Sequence, residues 1–253
     1  MNKEQLQQIA QRTLPVPVHH WLKTQWHAYK HHPPLGMVRW GDLRRLTPIS
    51  SGWGLDRGQP IDRYYIENFL ERQSGDIHGR VLSIGDDFYT QQYGGDRVTK
   101  SDVLHITEGS PIATIIGDLT DAPQIPSDAF DCFVLTQTLQ LIYEVRLALK
   151  TVYRVLKPGG VVLITIPGIT PLNDQEWNTC WCWSFTALSA QRLFEEVFPT
   201  TNIDIETYGN VMAATAFLQG LATQELRTEE LTYRDPNYPV TITVRAVKPE
   251  VTT

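Results

Sequence analysis

The sequence predicts an α/β domain built on a doubly wound sheet, mostly parallel, with helices on both faces and a last, antiparallel strand. Three observations predict it. From residue 80 onward, short apolar runs alternate with longer amphipathic stretches, the order of strand–helix–strand crossovers. Residues 161–166, VVLITI, form an unbroken apolar run, as a strand covered on both faces requires. The first four apolar runs carry glycine or polar residues at or near their ends, where such sheets bind ligands.

The elements follow in order. In 61–70, IDRYYIENFL, the residues Ile61, Tyr65, Ile66 and Phe69 recur at helical spacing and give one buried face. Residues 80–85, RVLSIG, read as a short buried strand ended by glycine. A second, more exposed strand lies within 97–104, a third in 113–118 and a fourth in 130–136. Val145, Leu149, Val152 and Leu156 mark a helix, and Lys157-Pro158-Gly159-Gly160 supplies the cation, proline and glycines that stop it. The strand 161–166 follows at once. Thr186 suits an N-cap, because its hydroxyl accepts from an unpaired amide of the first turn. Leu188, Leu193, Phe194 and Val197 continue that helix. A strand over 202–208, a further helix and a strand over 240–247 extend one edge of the sheet.

Composition narrows the function. The 253 residues carry 22 Lys and Arg against 28 Asp and Glu, a formal charge of −6. A domain that grips phosphate backbones is usually basic, so no nucleic-acid partner is expected. The chain is 42% hydrophobic and 20% charged, ordinary globular usage. It has no apolar run long enough to span a bilayer. The opening residues lack the apolar core of a secretory signal, so a cytoplasmic location is expected. Three cysteines, Cys132, Cys180 and Cys182, form no disulfide framework and no CxxC pair. Five of the seven histidines precede residue 33, without a carboxylate or cysteine at ligand spacing, so no metal is expected.

Residues 1–70, rich in Trp, His and Pro, read as an extension covering the active-site side. Residues 71–253 form the main domain. A 70-residue piece of that composition buries too little to fold alone.

The strand ends carry the candidate chemistry. The first ends in Ile84-Gly85-Asp86-Asp87, where glycine lets a ligand approach the backbone. Asp102 stands 17 residues past Gly85, near the spacing of an acid that binds a ribose diol. The third strand ends in Gly117-Asp118-Leu119 and the fourth in Thr136-Gln137. Each alone is as readily a turn or cap residue. Four polar ends on successive strands point to a nucleotide-like ligand.

Residues 78–247 resemble the class I S-adenosylmethionine-dependent methyltransferases, most closely over 113–168. The Phe130-Asp131 opening of the fourth strand and the run Arg154-Val155-Leu156-Lys157-Pro158-Gly159-Gly160 carry the resemblance most specifically. The upstream GLDRGQPIDRYYIENFL is similar to the entry segment of a bacterial subgroup that modifies cell-surface glycans. The resemblance implies a Rossmann-like fold and S-adenosyl-L-methionine as cofactor. It implies that Ile84, Gly85 and Asp86 lie along the methionine part, Asp102 takes the ribose hydroxyls and Val103 packs on the adenine. Asp118 and Leu119 would read the adenine edge, Thr136 and Gln137 would sit under the sulfonium, and Arg63 and Tyr64 would reach the carboxylate.

The chain also departs from that family. Its glycine loop usually reads acidic-x-Gly-x-Gly-x-Gly, whereas residues 83–89 read Ser-Ile-Gly-Asp-Asp-Phe-Tyr. No catalytic base is evident: His105, Tyr143, Asp174 and Glu176 are candidates with equally good structural roles. Trp177, Trp181 and Trp183 read either as a sugar-stacking platform or lid, or as packing onto the tryptophans of the extension. The expected function is methyl transfer to a small-molecule or glycan acceptor, at oxygen. The alternative is a non-catalytic protein of the same fold serving as a binding or scaffolding partner. A nicotinamide dehydrogenase is disfavoured, because GDDFYT does not fit GxGxxG.

Overall fold

The computed structural model describes residues 17–18, 33–172 and 179–250. The chain divides into two compact units, Met1–Leu46 and Thr47–Thr253. The described part of the first holds a short 3₁₀ turn at Gly41–Leu43. Among the described residues, the second contains the sheet and every longer helix.

Seven strands form one sheet: β1 (Gly79–Ile84), β2 (Val98–His105), β3 (Ile115–Ile116), β4 (Phe130–Thr136), β5 (Leu156–Pro167), β6 (Ile203–Tyr208) and β7 (Thr241–Val247). Their order is β3-β2-β1-β4-β5-β7-β6. The first five run parallel, and β7 lies antiparallel between β5 and β6. The helices are α1 (Ile61–Arg72), α2 (Phe88–Gly94), α3 (Val145–Val155), α4 (Ala187–Glu195), α5 (Val211–Leu218) and α6 (Thr228–Thr232). Among the described residues, no helix is long and apolar enough to cross a membrane.

Alternation along the strands explains the unbroken apolar runs. Leu82, Phe133, Leu135, Val162 and Ile164 belong to one core with Leu149 and Val152 of α3 and Phe194 of α4. Their neighbours Val81, Cys132, Val134, Val161 and Leu163 point the other way, onto Ile66, Phe69 and Leu70 of α1. Both faces are therefore apolar. Because α1 covers one of them, the helix read at 61–70 belongs to the sheet-bearing unit, which begins at Thr47.

Three elements differ from their sequence reading. Strand β5 starts at Leu156, because Lys157-Pro158-Gly159-Gly160 bulges within the strand: Phe130 pairs with Leu156, then Cys132 with Val161. A Cβ on Gly160 would lie 2.8 Å from the Lys157 carbonyl oxygen, so the bulge needs glycine. Strand β3 shrinks to two residues, since Asp118 turns the chain by accepting from the Thr120 amide at 2.8 Å. Strand β2 runs on to His105. The cap at Thr186 is as expected, accepting from the Ser189 amide at 3.1 Å while the Ser189 hydroxyl accepts from the Thr186 amide at 2.9 Å.

Strand order reverses between β1 and β4. Their carboxyl ends therefore part and leave a crevice, the place where open α/β sheets bind ligands.

Candidate functional site

A cavity of about 340 Å³ opens at that crevice. Ser83, Ile84 and Asp86 enter it from β1 and the loop after it, and Tyr89 and Thr90 from α2. Thr136, Gln137, Gln140 and Leu141 line it from the end of β4 onward. Asp62, Arg63 and Ile66 of α1 and Trp53 from the preceding loop close a second side. Pro167, Thr170 and Trp181 contribute from the segment after β5.

Backbone conformation opens the floor. Gly85 sits at φ +80°, and a Cβ there would meet nothing within 4 Å. The glycine is thus required by its left-handed backbone and leaves free space above the strand end. Gln137 also adopts a positive φ, 45°, unusual for a side-chain-bearing residue. Its amide donates to the Thr165 carbonyl at 2.8 Å, which holds the conformation. Trp53, another residue of the lining, is strained in the same way at φ 53°.

The polar groups differ in how well they are satisfied. Ser83 and Thr90 share a buried hydroxyl hydrogen bond of 2.6 Å that ties β1 to α2. Asp86 accepts from the Phe88 amide at 3.0 Å, and Asp87 accepts from Gln91 Nε2 and Ser101 Oγ, both at 2.9 Å. Gln140 is only 2% exposed. Its Nε2 donates to Gln137 Oε1 at 3.3 Å, but its Oε1 is buried with no partner among the described residues. Its carbonyl accepts from the amides of Cys182 and Trp183, which fastens the segment after β5 to the cavity rim. Burial pushes the Asp62 carboxyl up to about 6 and the Tyr89 phenol up to about 12.

Five residues expected from the sequence line the cavity: Arg63, Ile84, Asp86, Thr136 and Gln137. Gly85 lies between two of them. The structure does not bring the others there. Asp102 is 3% exposed and sits inside β2, three residues before its end. Its carboxylate accepts from Arg80 Nε at 2.7 Å and from the Thr114 hydroxyl at 3.1 Å. The strand continues past it, so the side chain serves the sheet. Val103 and Leu119 are buried, and Tyr64 packs with the Tyr65–Phe217 core. Asp118 is an exposed turn residue bonded to Thr120.

At the end of β2 stands His105, whose Nδ1 lies 2.8 Å from the Thr107 carbonyl oxygen. Tyr143 stacks on Trp183 at 5.7 Å, outside the cavity lining. Asp174, Glu176, Trp177 and the early histidines lie outside the described residues. Among those described, no group of His, Cys, Asp and Glu could hold a metal ion. Asp62, Gln140, Trp53 and Trp181 were not singled out by the sequence as a group. An acid in a first helical turn is ordinary, and an orphaned amide oxygen is visible only in three dimensions.

Residues 80–164 match the family model for a methyltransferase domain. Among solved structures, an S-adenosylmethionine-dependent methyltransferase from Archaeoglobus fulgidus is 13% identical over 74% of this chain and 94% of its own, with a TM-score of 0.50. One from Mesorhizobium loti is 16% identical over 77% and 100%, also at 0.50. The 4+2 cyclase SpnF is 16% identical over 77% and 84%, at 0.51. At such identities the likeness is one of fold. No curated protein matches the chain.

Proposed function

We propose, from the methyltransferase-domain match over residues 80–164 and the fold shared with S-adenosylmethionine-dependent methyltransferases, that the chain moves a methyl group from that cofactor to an oxygen of a small-molecule or glycan acceptor. The observation that carries the reading is the cavity at the β1–β4 switch point, with Gly85 and Gln137 both at positive φ on its floor.

The residues present fit the cofactor. The space above Gly85 admits a ligand against the backbone. Arg63 offers a cation for a carboxylate, and Asp86 an acid for an ammonium or sulfonium. Thr136 and Gln137 lie beside them. At the ribose end the role expected of Asp102 falls to His105, the last residue of β2, which Nδ1 bonding to Thr107 holds in one orientation. Beyond it, Ile106 is an exposed apolar side chain for a purine face. When bound, the cofactor supplies an electrophilic methyl group. The protein's part is to orient the acceptor and exclude water.

A stacked Tyr143–Trp183 pair and the cavity-lining Trp53 and Trp181 favour a ring-shaped acceptor with an apolar face, as a sugar has. The altered residues 85–89 favour the alternative, a non-catalytic binding protein of the same fold. One titration separates the two readings. Calorimetry with S-adenosylmethionine and S-adenosylhomocysteine is expected to give saturable binding of both. Absence of heat and of any thermal shift at millimolar ligand overturns the methyltransferase reading.

A further inference from the structure

We propose that Asp62 and Gln140 form the subsite for the acceptor's hydroxyl, and that Asp62 is the catalytic residue that receives its proton. The inference rests on the methyltransferase reading and names a base that the reading leaves open.

Asp62 differs from the acids that the fold holds in ion pairs. Asp76, Asp102, Asp131, Glu206 and Glu225 each face an arginine or lysine within 3.1 Å. Asp62 has no such partner among the described residues. It accepts only local backbone donation, from the Arg63 amide at 2.8 Å, and it lines the cavity from the first turn of α1. A half-buried carboxylate without an ion pair is costly to hold for structure alone, and the neighbouring Arg63 charge offsets only part of that cost. Gln140, in the lining of the same cavity, has a buried amide oxygen with no partner among the described residues. A buried amide oxygen without a donor, and a carboxylate in the same cavity with no side-chain donor among the described residues, call for a ligand that brings O–H or N–H groups. A hydroxyl on a ring flanked by Trp53 and Trp181 meets that demand.

The chemistry balances. The acceptor oxygen bonds to the methyl carbon as the carbon–sulfur bond breaks, and that bond's electron pair goes to sulfur. The hydroxyl proton moves to the Asp62 carboxylate and leaves to water after product release. Burial that raises the carboxyl to about 6 strengthens the base while keeping most of it ionised at neutral pH.

The test uses the full chain and methyl glycosides of glucose, galactose, mannose and rhamnose. Each is titrated into protein saturated with S-adenosylhomocysteine, and methyl transfer is then followed with the glycoside that binds. Asp62→Asn keeps an acceptor oxygen but takes no proton. It is expected to bind S-adenosylhomocysteine and glycoside as the parent does and to lose about 10²-fold or more in transfer rate. Asp62→Glu recovers part of that loss. Gln140→Leu is expected to lose about tenfold in glycoside affinity with cofactor affinity unchanged.

Transfer by Asp62→Asn at the parent rate overturns the proposal. So does weakened S-adenosylhomocysteine binding in that variant, which would make Asp62 a ligand of the cofactor's ammonium. Binding of S-adenosylhomocysteine with no glycoside binding at all overturns the subsite and leaves the methyltransferase reading standing. Failure to bind S-adenosylhomocysteine overturns both.

Discussion

Arg80 of β1 reaches across to Asp102 of β2, with Nε 2.7 Å from Oδ2, while its guanidinium lies 4.6 Å from the centre of the Phe130 ring. The pair cross-links two parallel strands at the amino-terminal side of the crevice. Burial alone would push the Asp102 carboxyl up, but the Arg80 and Thr114 hydrogen bonds outweigh it and hold the group below its ordinary range. Asp102→Ala should therefore cost about 2–3 kcal/mol of stability, less than a fully enclosed pair because Arg80 reaches solvent. Urea unfolding of the variant measures this. A ribose ligand would behave the opposite way, losing cofactor affinity with its melting temperature unchanged.

Glu206 accepts from Arg72, Arg234 and the Tyr208 hydroxyl. Burial opposes its ionisation, yet these three donors hold its carboxyl down at about 2. The folded value lies below the unfolded one, so the contribution is present above the ordinary glutamate range and fades as pH falls toward 2. Glu206→Gln is expected to lose about 1 kcal/mol at neutral pH, the modest figure reflecting partial exposure. Melting curves at pH 7 and near pH 2 should differ from the parent only at the former.

Asp62 shifts the other way. Its folded value of about 6 exceeds the unfolded one, so folding favours the neutral acid. The parent should lose stability as pH rises from about 4 to about 6 and level off above. Arg63 on its own helix and Asp86 and Tyr89 across the cavity set the surrounding field. Asp62→Asn removes the titrating group. Its advantage in melting temperature is expected to grow over that window and stay constant beyond it. An unchanged difference from pH 4 to 8 would contradict the assignment.

Gly85→Ala separates backbone strain from blockage. The added methyl group enters open space, so the fold should survive with about 1–2 kcal/mol of left-handed strain. That space is the proposed path of the cofactor, so S-adenosylhomocysteine affinity should fall. Gly220→Ala is the control: at φ +67° its Cβ would lie 2.1 Å from the Ser50 carbonyl oxygen, and loss of stability is expected to dominate.

The sheet was legible because each strand carries its own apolar pattern, and strand ends could be read to within a few residues. At β2 those few residues mattered. Asp102 and His105 lie on one strand, and only the pairing of Ile84 with Leu104 tells which of them stands at its end. The partner that claims Asp102 is Arg80, 22 residues earlier, a pairing no local pattern announces. The four residues of the Lys157–Gly160 run were read as a helix stop alone. Their second role, as a bulge against Phe130, depends on a neighbouring strand. Asp62 carries no signal in the sequence, since an acid in a first helical turn is ordinary and its want of an ion pair among the described residues is a property of the cavity.

Strand β7 lies between β5 and β6, although both precede it in the chain. During synthesis β6 emerges with no strand to pair with, and β5 presents a bare edge of amides and carbonyls, until residues 241–247 leave the ribosome. The sheet is therefore completed from the middle, by a strand made after both of its neighbours. Asn202 at the start of β6 already holds its side-chain amide for the Val247 carbonyl, at 3.0 Å in the finished fold. Until residues 241–247 are available the sheet stays split between β5 and β6, with edges open to pairing with any passing extended segment.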